Sequence, residues 1–351
     1  MPEERSQELA NQIDRLQRRV DSLQSEVHLT HLRDQTEDLS TTAGGLIETV
    51  KELRARGYPF EKALDGKAAD LERQWRALRP RVLKEIDRQA SDLERNLGRV
   101  ENRLRRSTAR TRRRKAPQAA LEQAEAAVDT LEEKVRSAER SIEGMYDTFQ
   151  TEVNELAGHL TSVDWMLDQV AEAKFQLLPT EAGIMAVKAR WQREGEDEPE
   201  GILYLTDQRL LFEQKQDIAT KKVLFFTTEK EKVQQLLLEA PVVQIENAEA
   251  TKRGVLGHED HIDITFGSGG PVAAAHFHLD GQDSNEWQGL IGRVKAGDFD
   301  QDRAVELDEE AVQKARAAPS KCPSCGALIS QPVLRGMDSL KCEYCGYVIR
   351  L

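Results

Sequence analysis

Over the first half of the chain, apolar residues recur at alternating steps of four and three. Leu9, Ile13, Leu16, Val20, Leu23 and Val27 open the pattern. A period of about 3.5 gives each helix one narrow apolar seam and makes helices wrap around one another. The phase then slips. Leu32 opens a new register through Leu39, Ala43, Leu46, Val50 and Leu53, weakened by Gly44-Gly45 inside it. Gly57-Tyr58-Pro59 reads as a break. A second helical stretch starts at about Phe60, with a seam at Leu64, Ala68, Leu71, Trp75, Leu78, Val82, Ile86, Ala90, Leu93, Leu97, Val100 and Leu104. Pro80 is expected to kink or split it. A third stretch starts after Pro117, a residue suited to a helix start, and Pro179 closes it. Its seam runs from Leu121 to Val170 with one stutter near Phe149. About 55 helical residues rising ~1.5 Å each make a rod of roughly 80 Å.

Three rods joined by short breaks predict an antiparallel bundle or a coiled-coil arm. Narrow seams need partners, in the same chain or from another copy, so the arm is expected to set distance and to form a homo-oligomer. A sharper reading is membrane shaping, because long, kinked, charged helices resemble those of BAR-type and ESCRT-III-like proteins.

Charge divides the chain. Residues 1–176 carry 30 basic and 33 acidic side chains, residues 177–300 carry 13 and 22, and residues 301–351 carry 7 of each. The acidic middle repels phosphates on average. One block stands apart: Arg103, Arg105, Arg106, Arg110, Arg112, Arg113, Arg114 and Lys115, with no acid among them. It falls at the junction of the second and third rods. Arginine forks grip phosphate oxygens in pairs, so the block is a candidate for an anionic membrane surface or, less strongly, a nucleic acid. No aromatic residue lies between Trp75 and Tyr146, which leaves the block without base-stacking groups. Docking on an acidic surface of the same protein or a partner is the plainer alternative.

After Pro179 the helical period gives way to alternation. Strands are expected at Gly183–Gln192, Gly201–Thr206, Arg209–Gln214, Lys222–Thr227, Val242–Ala250, His261–Phe266 and Val272–Leu279. Asp207-Gln208 is a two-residue turn, Lys230–Ala240 a short helix, and Asp283–Lys295, carrying Trp287, a closing amphipathic helix. The run Gly201-Ile202-Leu203-Tyr204-Leu205-Thr206-Asp207-Gln208-Arg209-Leu210-Leu211-Phe212 resembles the second hairpin of GRAM and bacterial PH-like domains, and Trp287 fits the helix that plugs such a barrel. The resemblance spans roughly residues 178–298. It implies an antiparallel barrel with a C-terminal helix, and head-group binding in the loop between the first two strands. Here that loop pairs Arg193 with Glu194, Glu196, Asp197, Glu198 and Glu200, so protein docking is the stronger expectation than phosphoinositide binding. His258, His261, His276 and His278 are read as solvent-facing strand residues, with a metal site as the minor alternative. Gly267-Ser268-Gly269-Gly270 is not a phosphate loop, because a strand rather than a helix follows it.

The tail carries all four cysteines: Cys322, Cys325, Cys342 and Cys345, in the spacing C-x2-C-x16-C-x2-C. It resembles a zinc ribbon. Two tight turns that each offer two thiolates suit tetrahedral Zn2+, and an all-thiolate set leaves no position for water, so the metal is expected to be structural. About 30 residues make too small a core to fold alone, and the metal supplies the missing stability.

The sequence therefore predicts a multidomain α+β protein. A long α-helical coiled-coil arm occupies residues 1–177, with breaks near 57–59, 80 and 108–117. A PH/GRAM-like antiparallel β-barrel with a C-terminal helix spans 178–298, a charged linker 299–320, and a small zinc ribbon 321–351. No Walker loop, nucleophile elbow or zincin helix appears, which argues against an enzyme. The absence of a long apolar run and of a basic-then-apolar start places the chain in the cytoplasm, with peripheral contact at the inner membrane face as an extension. The function expected is a scaffold that oligomerises through its arm and docks protein partners through its other two modules. A nucleic-acid-associated protein and a membrane-remodelling protein are the alternatives.

Overall fold

The computed structural model describes residues 2–112, 118–193, 198–223, 226–254 and 258–351, apart from the side chains of 2–6, 110–112 and 217–231. The chain forms two compact units, residues 1–48 with 66–157, and residues 49–65 with 158–351.

Five helices run through residues 2–172: α1 (Pro2–Glu26), α2 (Thr30–Ala55), α3 (Leu64–Arg112), α4 (Gln118–Glu143) and α5 (Asp147–Glu172); the first unit takes all of α1 and α4, most of α2 and α3, and α5 as far as Ala157. The slip of phase after Val27 is a turn between α1 and α2, where buried Leu29 takes a positive φ of 51°. The turn does not reverse the chain. Gln24, His28, Arg33, Glu37 and Ser40 reach Glu101, Glu94, Asp87, Arg79 and Trp75 in that order. Residues 2–48 therefore follow one line, antiparallel to α3. Arg19, His31 and Gln35 reach Glu132, Glu139 and Tyr146, so α4 and the start of α5 run parallel to that line. The unit is a three-rod bundle, and the rods pair within one chain. Leu16, Val20 and Leu23 are buried together with Leu93, Val100, Val128 and Leu131. The seams that made a second copy attractive are thus covered in cis.

Two expectations need correcting. First, α3 is not split at Pro80. The proline is exposed, and the burial of Trp75 on one side and of Val82 and Ile86 on the other holds the helix across the lost hydrogen bond. Second, the long third rod is two helices, broken at Gly144–Tyr146 where the stutter lies. Tyr146, outside the heptad seam, is buried there and donates its hydroxyl to Gln35 Oε1 at 3.0 Å. Trp75 stacks on Phe149 with centroids 5.0 Å apart and meets Tyr146 edge-on at 6.3 Å. Filling the aromatic layer outweighs continuing the rod.

The second unit holds one seven-stranded antiparallel sheet in the order β4-β3-β2-β1-β7-β6-β5. The strands are β1 (Gly183–Gln192), β2 (Glu200–Thr206), β3 (Arg209–Val223), β4 (Phe226–Pro241), β5 (Ile245–Arg253), β6 (Glu259–Phe266) and β7 (Ala274–Leu279). Among the described residues no ladder joins β4 to β5, so the barrel is open rather than closed. The helix α6 (Ser284–Ala296) packs against β5 and β6 and buries Trp287 fully, its indole N–H donating to Gln282 Oε1 at 2.6 Å. Asp283 caps α6 by accepting from the Asn285 N–H. Trp191, Phe212 and Phe277 form the aromatic centre, with centroids 5.2–5.8 Å apart.

The short helix expected at Lys230–Ala240 is strand. The segment has good helix formers, but Val233, Gln234, Gln235, Leu236 and, beyond a one-residue bulge, Leu238 pair across to β3. Extending the hairpin satisfies backbone groups on both strands, and that tertiary gain overrides a weak local preference.

Beyond α6, the short α7 (Asp298–Gln301) places Phe299 edge-on to Phe60 at 5.4 Å, and Arg303 pairs with Phe60 in an isolated bridge. A helix α8 (Glu309–Arg316) leads to the tail hairpin β8 (Ser339–Lys341) and β9 (Val348–Arg350). The tail does not hang free of the sheet domain. The Gln208 side chain donates to Arg335 O at 3.2 Å and accepts from Arg335 N at 2.7 Å.

Candidate metal centre

Each half of the tail builds the same turn. Cys322 N–H donates to Ala327 O and Gly326 N–H to Cys322 O, both at 2.8 Å. In the second half, Cys342 N–H donates to Tyr347 O and Gly346 N–H to Cys342 O, both at 2.9 Å. Gly326 and Gly346 close the turns with φ of +75° and +72°, a region that side-chain-bearing residues disfavour. The strand pair β8–β9 and the buried Leu340 and Ile349 hold the second turn against the first.

This folding brings together Cys322, Cys325, Cys342 and Cys345. Their sulfurs all lie within 4.8 Å of one another. Across the turns, Cys322 Sγ is 3.7 Å from Cys345 Sγ, and Cys325 Sγ is 3.7 Å from Cys342 Sγ. A zinc–thiolate bond of about 2.3 Å makes a tetrahedron with an edge of about 3.8 Å, so the donor set fits the ion. The surroundings of Cys322 and Cys325 act on their thiols in opposite directions. Desolvation opposes ionisation of Cys322, but backbone N–H groups of Cys325 and Ser324 pull its thiol down to about 7. The Ala327 N–H favours thiolate at Cys325 as well, yet the neighbouring sulfurs, Cys345 first, push that thiol up to about 12. A dication would replace those protons with one charge that all four sulfurs can use.

The basic block is described only in part. Arg103, Arg105 and Arg106 lie on the last turns of α3; Arg113, Arg114 and Lys115 fall outside the described residues, as do the side chains of Arg110 and Arg112. Arg103 and Arg106 line an open depression of about 460 Å³ together with Arg99, Asn102 and Gln123. Of the acidic loop read from the sequence, Arg193, Glu198 and Glu200 are described, and residues 194–197 lie outside the described residues.

Two features of the β2–β3 turn go beyond a turn and packing role. Arg209, on β3, is buried and forks onto Glu181, with Nε 2.9 Å from Oε1 and Nη2 2.5 Å from Oε2. Its Nη1 reaches Glu239 at 2.5 Å and its Nη2 also donates to Gln176 O at 2.8 Å. Asp207 accepts from both Arg303 and Arg335, the latter at 2.8 Å, so the turn is where the linker and the tail dock. A buried acid in a two-residue turn has no sequence signature apart from its unusual partners, which come 96 and 128 residues later. The strand histidines also differ from expectation: His261 is only 3% exposed, and His276 and His278 are half-buried.

No protein-family profile matches the chain, and no curated protein matches it in sequence. Among solved structures, the N-terminal PH domain of Vps36 aligns at 12% identity over 33% of this chain and 80% of its own, with a TM-score of 0.23. The Slm1 PH domain, in complex with inositol-4-phosphate, aligns at 9% identity over 33% of this chain and 96% of its own, with a TM-score of 0.22. The DH/PH domain of human ARHGEF11, in a ternary complex with human RhoA and its inhibitor, aligns at 14% identity over 83% of this chain and 94% of its own, with a TM-score of 0.28. Scores this low carry no weight by themselves. The sheet itself, seven antiparallel strands in one order followed by the Trp287 helix packed on β5 and β6, agrees with the architecture that the PH-like resemblance implies. Among the described residues, no helix is long and apolar enough to cross a membrane.

Proposed function

We propose that the chain is a non-enzymatic adaptor whose PH-like domain and zinc-bound tail each dock a protein partner, with the helical bundle as a spacer. The observation that carries this reading is the tail itself. Four sulfurs at tetrahedral spacing make a closed structural site, and around it Leu328, Tyr344, Tyr347 and Val348 remain exposed. A metal-built module that keeps aromatic and aliphatic side chains in water is suited to recognition, where such residues carry most of the binding energy. Pinning of the tail on Asp207 and Gln208 would present this surface in a fixed orientation. Oligomerisation through the arm would have to use surface outside the buried seams. The test is metal analysis of the purified full chain with quantitative thiol alkylation. Cys322, Cys325, Cys342 and Cys345 should hold one zinc and resist alkylation until chelator is added; four freely reactive thiols in the native protein would end the reading.

A second reading has one observation behind it. Arg99, Arg103 and Arg106 converge on the depression at the end of α3, in line with the basic block, and this favours an anionic membrane surface as an additional partner. Co-sedimentation with phosphatidylserine vesicles should fall when Arg110, Arg112, Arg113 and Arg114 are all changed to Glu. Equal binding by both proteins would remove the block from the scheme.

A further inference from the structure

The outer face of the sheet carries a second cluster of ligand-type side chains, far in sequence from the cysteines. In the β6–β7 ladder His261 sits opposite His278 and Asp263 opposite His276. Directly paired residues share a face, and so do alternate residues along a strand, which puts Glu259, His261, Asp263, His276 and His278 together.

With both imidazoles neutral, Asp263 Oδ1 accepts from His276 Nδ1, and the bare His276 Nε2, 2.9 Å away, accepts from His261 Nδ1. In that arrangement His261 Nε2 is a bare lone pair. It is buried and has no hydrogen-bond partner. The nearest charged group is the Glu259 carboxylate, with Oε2 at 3.5 Å. A lone pair facing a carboxylate in a buried position is an arrangement of two acceptors, and it is favourable only with a cation between them. His278 supplies the third arm: its ring centroid is 4.7 Å from that of His261, and one ligand atom from each of Glu259, His261 and His278 lies within 4.8 Å of the others.

We propose that Glu259, His261 and His278 bind a divalent transition-metal ion, with zinc the best match to two imidazoles and one carboxylate. Asp263 and His276 serve as positioning residues. They hold His261 in the tautomer that aims Nε2 at the ion, as outer carboxylates do at histidine-bound metals. Three protein ligands leave room for a further ligand, unlike the closed tetrahedron of the tail. Arg190 is the competitor: its Nη2 is 2.9 Å from His278 Nδ1, and it must give up that contact, or His278 must shift its ring proton, when the metal enters. Arg253 is committed elsewhere, to Asp263 at 3.2 Å.

The test uses the full chain with its cysteine site already filled with zinc, titrated with Co2+ and followed by visible absorption. Cobalt on two imidazoles and a carboxylate gives d–d bands without the thiolate charge-transfer band that cobalt on the cysteines would add, so the two sites are read separately. One equivalent should bind the wild type. His261→Ala should abolish binding, Asp263→Asn should weaken it about 10–100-fold, and Arg190→Gln should tighten it. Because His261 is buried, His278→Ala, at a less buried position, is the second variant and should also lose the d–d bands while zinc in the tail is retained. No d–d signal in the wild type, which would leave a proton as the cation between His261 and Glu259, overturns the proposal. So does an undiminished signal in both histidine variants.

Discussion

The bundle and the sheet-bearing unit place charged side chains in opposite settings. In the bundle the ion pairs lie along the outside. Arg33 with Asp87 and Arg79 with Glu37 tie rods together, yet each partner is 39–67% exposed. In the second unit the central pairs are sealed. Arg209 and Glu181 are 6% and 0% exposed, and Arg303 and Asp207 are 8% and 2% exposed. Water can replace a partner in the first setting but not in the second. The same chemistry therefore decorates one unit and specifies the other, and groups that cannot lose a partner mark where the second unit is vulnerable.

The largest effect should come from the four thiolates. A chelator, or Cys322→Ser, should unfold residues 321–351 while the bundle keeps its helices. Hydrogen exchange would read this as loss of protection confined to the tail and to the Asp207-Gln208 turn that receives it. If the tail stayed protected without metal, the sealed-site side of the comparison would fail at its strongest point.

Next is Arg209. Arg209→Ala leaves Glu181 buried with its charge uncompensated, and removing one partner of a buried pair costs about 3–5 kcal/mol. Chemical denaturation of the sheet-bearing unit should show a shift of that size. A shift well under 1 kcal/mol would mean that water reaches Glu181 and that the two settings do not differ as described.

How much of this was legible in the sequence follows the same division. The heptads located the rods because an apolar seam is a local, periodic signal, and Gly183–Gln192 matched its strand to the residue because alternation is local as well. The spacing of the cysteines gave the candidate ligands for a comparable reason: two close pairs need only the two turns to meet. What could not be read was non-local. Leu236 and Leu238 are strand because β3 lies beside them, Tyr146 breaks a rod because Trp75 awaits it, and His261 is buried where the rings of His276 and His278 pack on it. No window of a dozen residues contains those partners.

A case between the two settings is Glu61, on the chain between α2 and α3. Burial alone would raise its carboxyl, but the hydrogen bond from His159 at 2.7 Å, the charges of His159 and Arg293 and a hydrogen bond from Tyr58 together outweigh it and hold the group below its ordinary 4.5. A carboxylate depressed in the folded state adds stability that is present above its unfolded value and is lost as pH falls through the folded one. Wild-type stability should therefore decline below about pH 4.5, and Glu61→Gln should flatten that part of the curve. An unchanged acid slope would assign it to other carboxylates.

The smallest effect tests the exposed side. Arg19 forks from α1 onto α4, with Nε 2.8 Å from Glu132 Oε1 and Nη2 2.8 Å from Oε2, and it also contacts Asp129. Its geometry is a bidentate fork between two helices, which adds direction to charge. Even so, Arg19 is 33% exposed and Glu132 25%, and water and salt screen both. A double-mutant cycle of Arg19→Ala and Glu132→Ala should give a coupling of less than about 1 kcal/mol, declining further as salt is raised. A coupling of several kcal/mol, insensitive to salt, would show that distance between charges rather than access of water sets their worth, and the contrast between the two units would lose its physical basis.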